Sequence, residues 1–196
     1  MSTPDFKHLD LCFIDIETTG SVFGRHEIIE IASIRTPPDA SEVCGVWQKR
    51  AKPRFPERIT PFAQELNGFS IEKWASEKPM SKEFWEEFNH FSRDCIPVCH
   101  NPSFERAFIT LAMCEAGLGE PVVDFHWIGT ESMAWPLLRS GLVTKPSLGT
   151  LCSFFGLEPE PMPHTALEGA RTCWRVYRKL VGLWEAKLEI AMTRES

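Results

Sequence analysis

Features that would place this 196-residue chain in a membrane or on the secretory route are missing from its sequence. It has no apolar run long enough to cross a bilayer, and residues 1–10 lack the basic-then-apolar pattern of a signal peptide. It also has no internal repeat, low-complexity tract or linker. These absences predict a cytoplasmic protein without a membrane partner, folded as a single domain over residues 1–196.

Closely spaced cysteine pairs, which a zinc site would use, are missing as well. The seven cysteines are scattered along the chain, and most of them lie inside apolar stretches, as Cys12 does between Leu11 and Phe13. Buried cysteines of this kind behave as small apolar side chains. We therefore predict free buried thiols rather than a zinc centre.

An excess of positive charge is the third absence, since the formal net charge is −6. This charge argues against non-specific coating of nucleic acid, but it permits an enzyme whose local basic rim guides phosphates. Two segments are candidates for such a rim, and each could equally be a solvated face. They are Lys49, Arg50, Lys52, Arg54 and Arg58 in one segment, and Arg171, Arg175, Arg178 and Lys179 in the other.

Hydrophobic patterns divide the chain into a strand-rich first part and a mainly helical remainder. We predict strands at residues 9–16, 28–34, 43–49, 96–100 and 122–125, the first three forming an antiparallel meander. Helical patterns occupy residues 70–76, 81–93, 102–116, 130–139, 147–155 and 164–190. The pattern predicts an α/β fold whose sheet has helices on both sides.

Two acidic residues, Asp15 and Glu17, end the first predicted strand. Side chains alternate along a strand, so both carboxylates point to one face while Ile16 enters the core. Paired carboxylates repel each other unless a cation joins them, and Mg²⁺ suits oxygen ligands in an open site. The plainer alternative is a pair of solvated acids at a strand end.

Five segments of the chain resemble motifs of the DEDDh exonucleases, the proofreading-subunit and ribonuclease T-like family. They follow the family's order, as residues 15–20 (DIETTG), 66–70 (LNGFS), 100–105 (HNPSFE), 147–151 (SLGTL) and 164–171 (HTALEGAR). The resemblance spans about residues 9–180. It implies a ribonuclease H-like α/β fold, with a central mixed sheet of three antiparallel strands plus parallel strands, flanked by helices.

The same resemblance implies hydrolysis of terminal phosphodiesters at the 3′ ends of single-stranded DNA or RNA, with two Mg²⁺ or Mn²⁺ ions about 4 Å apart. Asp15 would bridge both ions and Glu17 would bind one of them. His164 would act as general base, because the pKa of histidine lies near neutral. Its alternative is a capping or packing histidine.

Contacts to the terminal nucleotide are implied for four further residues in these motifs: Thr18, Thr19, Phe69 and His100. Phe69 could stack on a base or wedge beside it. It could equally be part of the hydrophobic core.

Two of the family's four acidic positions are altered. Glu105 stands where the second motif has aspartate, and its longer side chain displaces the carboxylate by about 1.5 Å. Its alternative role is to stabilise a helix N-terminus. Gly169 stands where the third motif has aspartate. Glu168, one residue earlier, points about 100° away on a helix. It reaches a metal only through a local bulge or a changed helix start, and otherwise pairs with Arg171 or Arg175.

Three functions are compatible with these residues. The first is an active exonuclease that uses Asp15, Glu17, Glu105 and Glu168 as metal ligands, binds two ions or fewer, and favours Mn²⁺. The second is a catalytically weakened relative that binds nucleic acid without efficient cleavage. The third is an interaction module for a protein partner. The preference for DNA or RNA and the formation of a homodimer stay open, because no pattern in the sequence marks either.

Overall fold

The computed structural model describes residues 6–124 and 126–194, with the backbone alone for residues 188–194. Five strands in this part form one sheet: β1 (Asp10–Thr18), β2 (Ile28–Thr36), β3 (Gly45–Arg50), β4 (Cys95–Cys99) and β5 (Ile128–Gly129). The strand order is β3-β2-β1-β4-β5. The first three strands are antiparallel, while β4 runs parallel to β1 and β5 parallel to β4. The predicted mixed sheet is therefore confirmed.

Helices cover both faces of this sheet. Within the described residues they are α1 (Pro61–Asn67), α2 (Lys82–Ser92), α3 (Pro102–Glu115), α4 (Thr130–Met133), α5 (Trp135–Arg139), α6 (Leu148–Phe155) and α7 (Ala166–Arg194). Short 3-10 helices occupy Phe6–His8 and Pro56–Arg58. None of the described helices is long and apolar enough to span a membrane.

The alternation of side chains along β1 decides which residues meet which helices. Cys12, Ile14 and Ile16 pack into one core cluster with aromatic residues of α2 and apolar residues of α3. Leu11 and Phe13 pack into a second cluster with residues of α7. Asp15 and Glu17 follow Phe13 by two and four residues, so the same alternation places them on the α7 side of the sheet. The start of α7 is therefore the element that faces the acidic pair.

The predicted helix at residues 70–76 is wrong, because this segment forms a series of turns. Trp74 is buried and its indole Nε1 donates to the carbonyl of Ile29 (3.1 Å), whereas Ile71 is 61% exposed. Since so short a helix would bury a single large side chain, it would gain little against the cost of helix nucleation.

The strand predicted at residues 122–125 is also wrong. Residues 122 and 123 form bends, and Asp124 N donates a hydrogen bond to Cys95 O at the start of β4 (3.0 Å). Phe125 lies outside the described residues. The remaining edge of β4 pairs instead with β5, through the register Val98–Ile128 and Cys99–Gly129.

All seven cysteines are free, as the sequence predicts. Five of them are buried: Cys12, Cys95, Cys99, Cys152 and Cys173. The other two, Cys44 and Cys114, are exposed, so the prediction of burial holds for most of the thiols rather than for all.

Candidate active site

In the acidic pair near the end of β1, Glu17 is buried and Asp15 is partly buried. Glu17 is 8% exposed, and burial raises its pKa to about 8, with the carboxylates of Glu160 and Glu30 adding to the shift. Burial also raises the pKa of Asp15 well above its usual value, and the negative charges of Glu17 and Glu105 contribute further. Removing both protons is therefore unfavourable unless a positive charge accompanies the pair.

Glu105 lies in the first turn of α3, following Asn101 and Pro102 as the sequence predicts. Its side chain is 4% exposed, and burial raises its pKa to about 7. Its Oε2 atom is shut off from solvent and has no hydrogen-bond partner among the described residues. The structure thus brings Glu105 within electrostatic reach of Asp15 and leaves one of its oxygens available.

His164 and Glu160 come to the same place from the loop that precedes α7. The Nδ1 atom of His164 lies 3.4 Å from Oε2 of Glu160. One ligand atom each from Glu17, Glu160 and His164 lie within 4.8 Å of one another. Burial lowers the pKa of His164, so its imidazole is neutral near pH 7 and able to accept a proton.

Glu160 is absent from the sequence-based prediction, which covers the third motif only from His164 onward. Burial raises its pKa to about 7, with a contribution from Glu168, and its Oε1 atom has no hydrogen-bond partner in the described part of the chain. An acidic residue four positions before the histidine was the available signal. This signal was weak, because residues 157–163 have no regular structure from which the direction of the Glu160 side chain could be inferred.

Gly169, the position of the missing aspartate, packs directly against Asp15. A Cβ atom added to Gly169 would lie 2.6 Å from Cγ of Asp15, closer than atoms approach without displacement. The side chain of Asp15 therefore occupies the space beside this position. Gly169 thus lacks the carboxylate of the family's aspartate, and the absence of a side chain leaves space for the carboxylate of Asp15.

Glu168 does not join the cluster formed by Glu17, Glu160 and His164. Its Oε1 atom accepts a hydrogen bond from Arg171 at 2.5 Å, and its side chain is 30% exposed. This is the surface ion pair that the sequence offered as the alternative to metal binding.

The threonines of the first motif lie at the end of β1, Thr18 as its last residue and Thr19 as the residue that follows. Thr18 Oγ1 donates to Gly20 O at 2.8 Å, and Thr19 Oγ1 accepts from Glu27 N at 3.0 Å. Gly20 lies so close to His26 that an added Cβ would come within 2.7 Å of the imidazole. The motif glycine is thus required for packing in the turn that follows β1.

Phe69 and His100, both candidates for nucleotide contact, differ in accessibility. Phe69 is 3% exposed and packs on Trp74 with ring centroids 5.1 Å apart, which places it in the core. His100 is partly buried, and its Nδ1 lies 2.9 Å from Thr130 Oγ1. Burial lowers the pKa of His100 to about 4, so this ring is neutral at pH 7.

The segment around Asn67 connects the end of β1 to the loop of His164. Asn67 Nδ2 donates to Thr18 O at 3.0 Å, and its Oδ1 accepts from Phe69 N. The backbone N–H of His164 donates to Leu66 O at 2.8 Å. We call residues 66–68 the clasp, because they hold the acidic strand and the histidine loop at fixed positions.

The basic segments are partly engaged in ion pairs. Arg50 pairs with Glu30 at 3.0 Å, and Arg54 pairs with both Glu27 and Glu115. Two other cations of these segments, Lys52 and Arg58, line a cleft near the β1–β2 turn. Each basic segment therefore provides less free charge than its composition suggests.

The donors gathered here fit a divalent cation. Buried oxygens without partners, on Glu105 and Glu160, are the atoms that a cation would satisfy. Carboxylate oxygens suit Mg²⁺ and Mn²⁺, and an imidazole nitrogen is also a ligand for Mn²⁺ and Zn²⁺. The arrangement could therefore hold a cation beside a neutral histidine.

Comparisons with known proteins show the family of this chain. The RNase_T family model, described as Exonuclease, matches residues 12–177. The PolC-type DNA polymerase III of Halalkalibacterium halodurans is 30% identical over 147 residues, which are 74% of this chain and 9% of that protein. The polymerase of the same name from Thermotoga petrophila is 26% identical over 195 residues, 97% of this chain and 13% of that protein. The chain thus spans about a tenth of these relatives.

Solved structures share the fold at low sequence identity. The nuclease domain of 3′hExo, a DEDDh family member bound to rAMP, superposes with a TM-score of 0.72 at 15% identity, covering 91% of this chain and 94% of that one. E. coli exonuclease I in complex with a dT13 oligonucleotide gives 0.76 at 14% identity, covering 96% and 44%. The ribonuclease H-like fold expected from the motifs is confirmed.

Proposed function

This chain belongs to the DEDDh-type 3′→5′ exonuclease family, and on that premise we propose that it removes nucleotides from the 3′ ends of single-stranded DNA or RNA with the help of divalent cations. The single observation that carries the proposal is the convergence of Asp15, Glu17 and Glu105 with His164 in one shielded site. The bond that we propose this site hydrolyses is a terminal phosphodiester.

Each side chain has a separate task in this proposal. Asp15, Glu17 and Glu105 hold Mg²⁺ or Mn²⁺, which when bound neutralises phosphate charge and makes water more acidic. His164 accepts the proton of the attacking water, since its lowered pKa keeps the imidazole neutral at pH 7. The clasp fixes His164 relative to β1 through the hydrogen bond to Leu66 O. His100, which is partly buried, is the remaining candidate for nucleotide contact, because Thr18 and Thr19 are buried with their hydroxyls bonded to the backbone.

A DNA strand beside a polymerase is the substrate setting that the relatives suggest. The matched PolC-type proteins are named as DNA polymerases, and E. coli exonuclease I is described with a dT13 oligonucleotide. We therefore propose single-stranded DNA as the first substrate to test and a DNA polymerase as a candidate protein partner.

One assay tests the proposed activity. The chain is incubated with single-stranded DNA and RNA labelled at the 5′ or the 3′ end, first in Mg²⁺ and then in Mn²⁺. We expect stepwise shortening from the 3′ end, which Asp15→Asn abolishes. Asp39→Asn, which removes the same charge from an exposed loop, is the matched control and retains activity. Metal-stimulated binding without shortening would instead identify a weakened nucleic-acid binder, and the proposal would fail.

A further inference from the structure

One carboxylate of the site has no assigned task. Glu160 lies in the loop before α7 with its side chain 13% exposed, and its Oε2 faces Nδ1 of His164 at 3.4 Å. Its Oε1 is closed off from solvent and meets no hydrogen-bond donor in the part of the chain that the structure describes. A buried carboxylate oxygen without a partner is unfavourable unless a ligand supplies one.

We propose that Glu160 is a ligand of the divalent cation beside Glu17, supplying through a different element the carboxylate that Gly169 lacks. The Oε1 atom of Glu160 binds the cation. Its Oε2 atom orients His164 through Nδ1, which leaves Nε2 of that ring for proton transfer. The inference rests on the proposed function for its premise that a cation is needed here.

The distances between the side chains of Glu17, Glu160 and His164 allow Glu17 and Glu160 to bind one cation with little movement. Ligand atoms of Glu17, Glu160 and His164 lie within 4.8 Å of one another, and the pair from Glu160 and His164 is 3.4 Å apart. Donors about 2.1 Å from a cation stand roughly 3 to 4 Å apart in octahedral coordination. A contraction of under about 1 Å therefore places the two carboxylates around one ion.

The loop is built to present this side chain. Pro159 and Pro161 flank Glu160, and their fixed φ angles reduce the conformations available to the loop. The hydrogen bond from His164 N to Leu66 O ties its other end to the clasp. A second buried oxygen without a partner is Oε2 of Glu105, whose carboxylate also acts on Asp15, as expected for a site shaped around a cation.

The position of Asp15 explains why the ligand comes from the loop rather than from α7. An aspartate at position 169 would overlap the carboxyl group of Asp15 as it now lies. Glu168 is turned to the surface and paired with Arg171. The loop before α7 is thus the part of the third-motif region that brings a carboxylate to Glu17.

Binding of Mn²⁺ alone, followed by electron paramagnetic resonance, tests the inference without nucleic acid. We expect Glu160→Gln to weaken Mn²⁺ binding about 10- to 100-fold. Glu158→Gln removes an equal charge from an exposed position of the same loop and should stay within about twofold of the unmodified chain. Glu160→Asp, which keeps a shorter carboxylate, should give an intermediate affinity. Circular dichroism melting establishes that each variant is folded.

Two outcomes separate this inference from the proposed function. The inference is overturned if the unmodified chain shortens oligonucleotides while Glu160→Gln binds Mn²⁺ as tightly as the unmodified chain. Glu160 would then only contact His164. If Glu160→Gln loses Mn²⁺ affinity but the unmodified chain shortens no oligonucleotide, the cation site stands and the nuclease activity fails.

Discussion

At the scale of residues, Glu17 gives the metal-free protein a pH dependence. The pKa of Glu17 is raised to about 8 in the folded chain, so its proton stays bound there while the unfolded chain releases it near its usual pKa. A raised folded pKa stabilises the fold at low pH, and this contribution is lost as the pH rises toward 8. Glu105 and Glu160, with pKa values of about 7, act in the same direction.

We therefore expect the free energy of unfolding in EDTA to fall by several kcal/mol between pH 5 and pH 8, of which Glu17 contributes about 3–4 kcal/mol. Urea titrations at several pH values measure it. Glu17→Gln should make the dependence shallower, because the amide carries no titratable proton and only Glu105 and Glu160 still contribute. An equally steep dependence in Glu17→Gln would show that Glu17 is not its source.

Gly169 provides a second test at this scale. Gly169→Ala should destabilise the chain by roughly 1–2 kcal/mol, because its Cβ displaces Asp15, although alanine favours helices. Gly182→Ala is the matched control in the same helix, where an added Cβ meets no atom within 4 Å. It should stabilise the chain by about 0.5–1 kcal/mol. Thermal unfolding of both variants measures the contrast, and equal shifts would refute the packing of Asp15 on Gly169.

The residues of the site differ in how far sequence could predict them. Strand alternation is local, so the common face of Asp15 and Glu17 follows from their spacing. The contact of Glu160 with Glu17 depends on how a loop folds back over the sheet. No local period encodes that path, which is why Glu160 was missed.

At the scale of elements, the clasp is the connection on which the site geometry depends. Asn67→Ala would leave Thr18 O and Phe69 N without their present partners in a buried region. We expect a loss of about 1–3 kcal/mol in unfolding free energy and a lower kcat, since β1 and the His164 loop lose their common support. Glu65→Ala, at an exposed position of α1, should change neither. A normal kcat in Asn67→Ala would show that the clasp is dispensable.

The elements themselves were predictable where burial is extensive. The three meander strands and the helices α2, α3, α6 and α7 follow hydrophobic periods that the structure reproduces within a few residues. The segments 70–76 and 122–125 were mispredicted because each buries only a few side chains. Tertiary hydrogen bonds hold the described residues instead, from Trp74 to Ile29 in the first segment and from Val122 to Asn89 and Asp124 to Cys95 in the second.

At the scale of the whole molecule, charge limits how nucleic acid approaches. The net charge is −6, the site concentrates carboxylates, and much of the basic segments is already paired. A 5′-labelled dT12 with phosphorothioate linkages at its 3′ end should therefore bind about tenfold or more tightly in Mn²⁺ than in EDTA. Fluorescence anisotropy measures the two affinities. Equal affinities would mean that the phosphates do not meet the acidic site.

The distribution of exposed and buried thiols allows unfolding of the chain to be measured by cysteine alkylation. Because Cys44 and Cys114 are exposed and the other five cysteines are buried, a brief pulse of iodoacetamide should add two carbamidomethyl groups to the native chain and seven to the unfolded one. Intact-mass spectrometry then counts unfolded molecules directly. Mn²⁺ should shift that count toward two, so occupancy of the cation site becomes readable from alkylation alone, without nucleic acid or an engineered label.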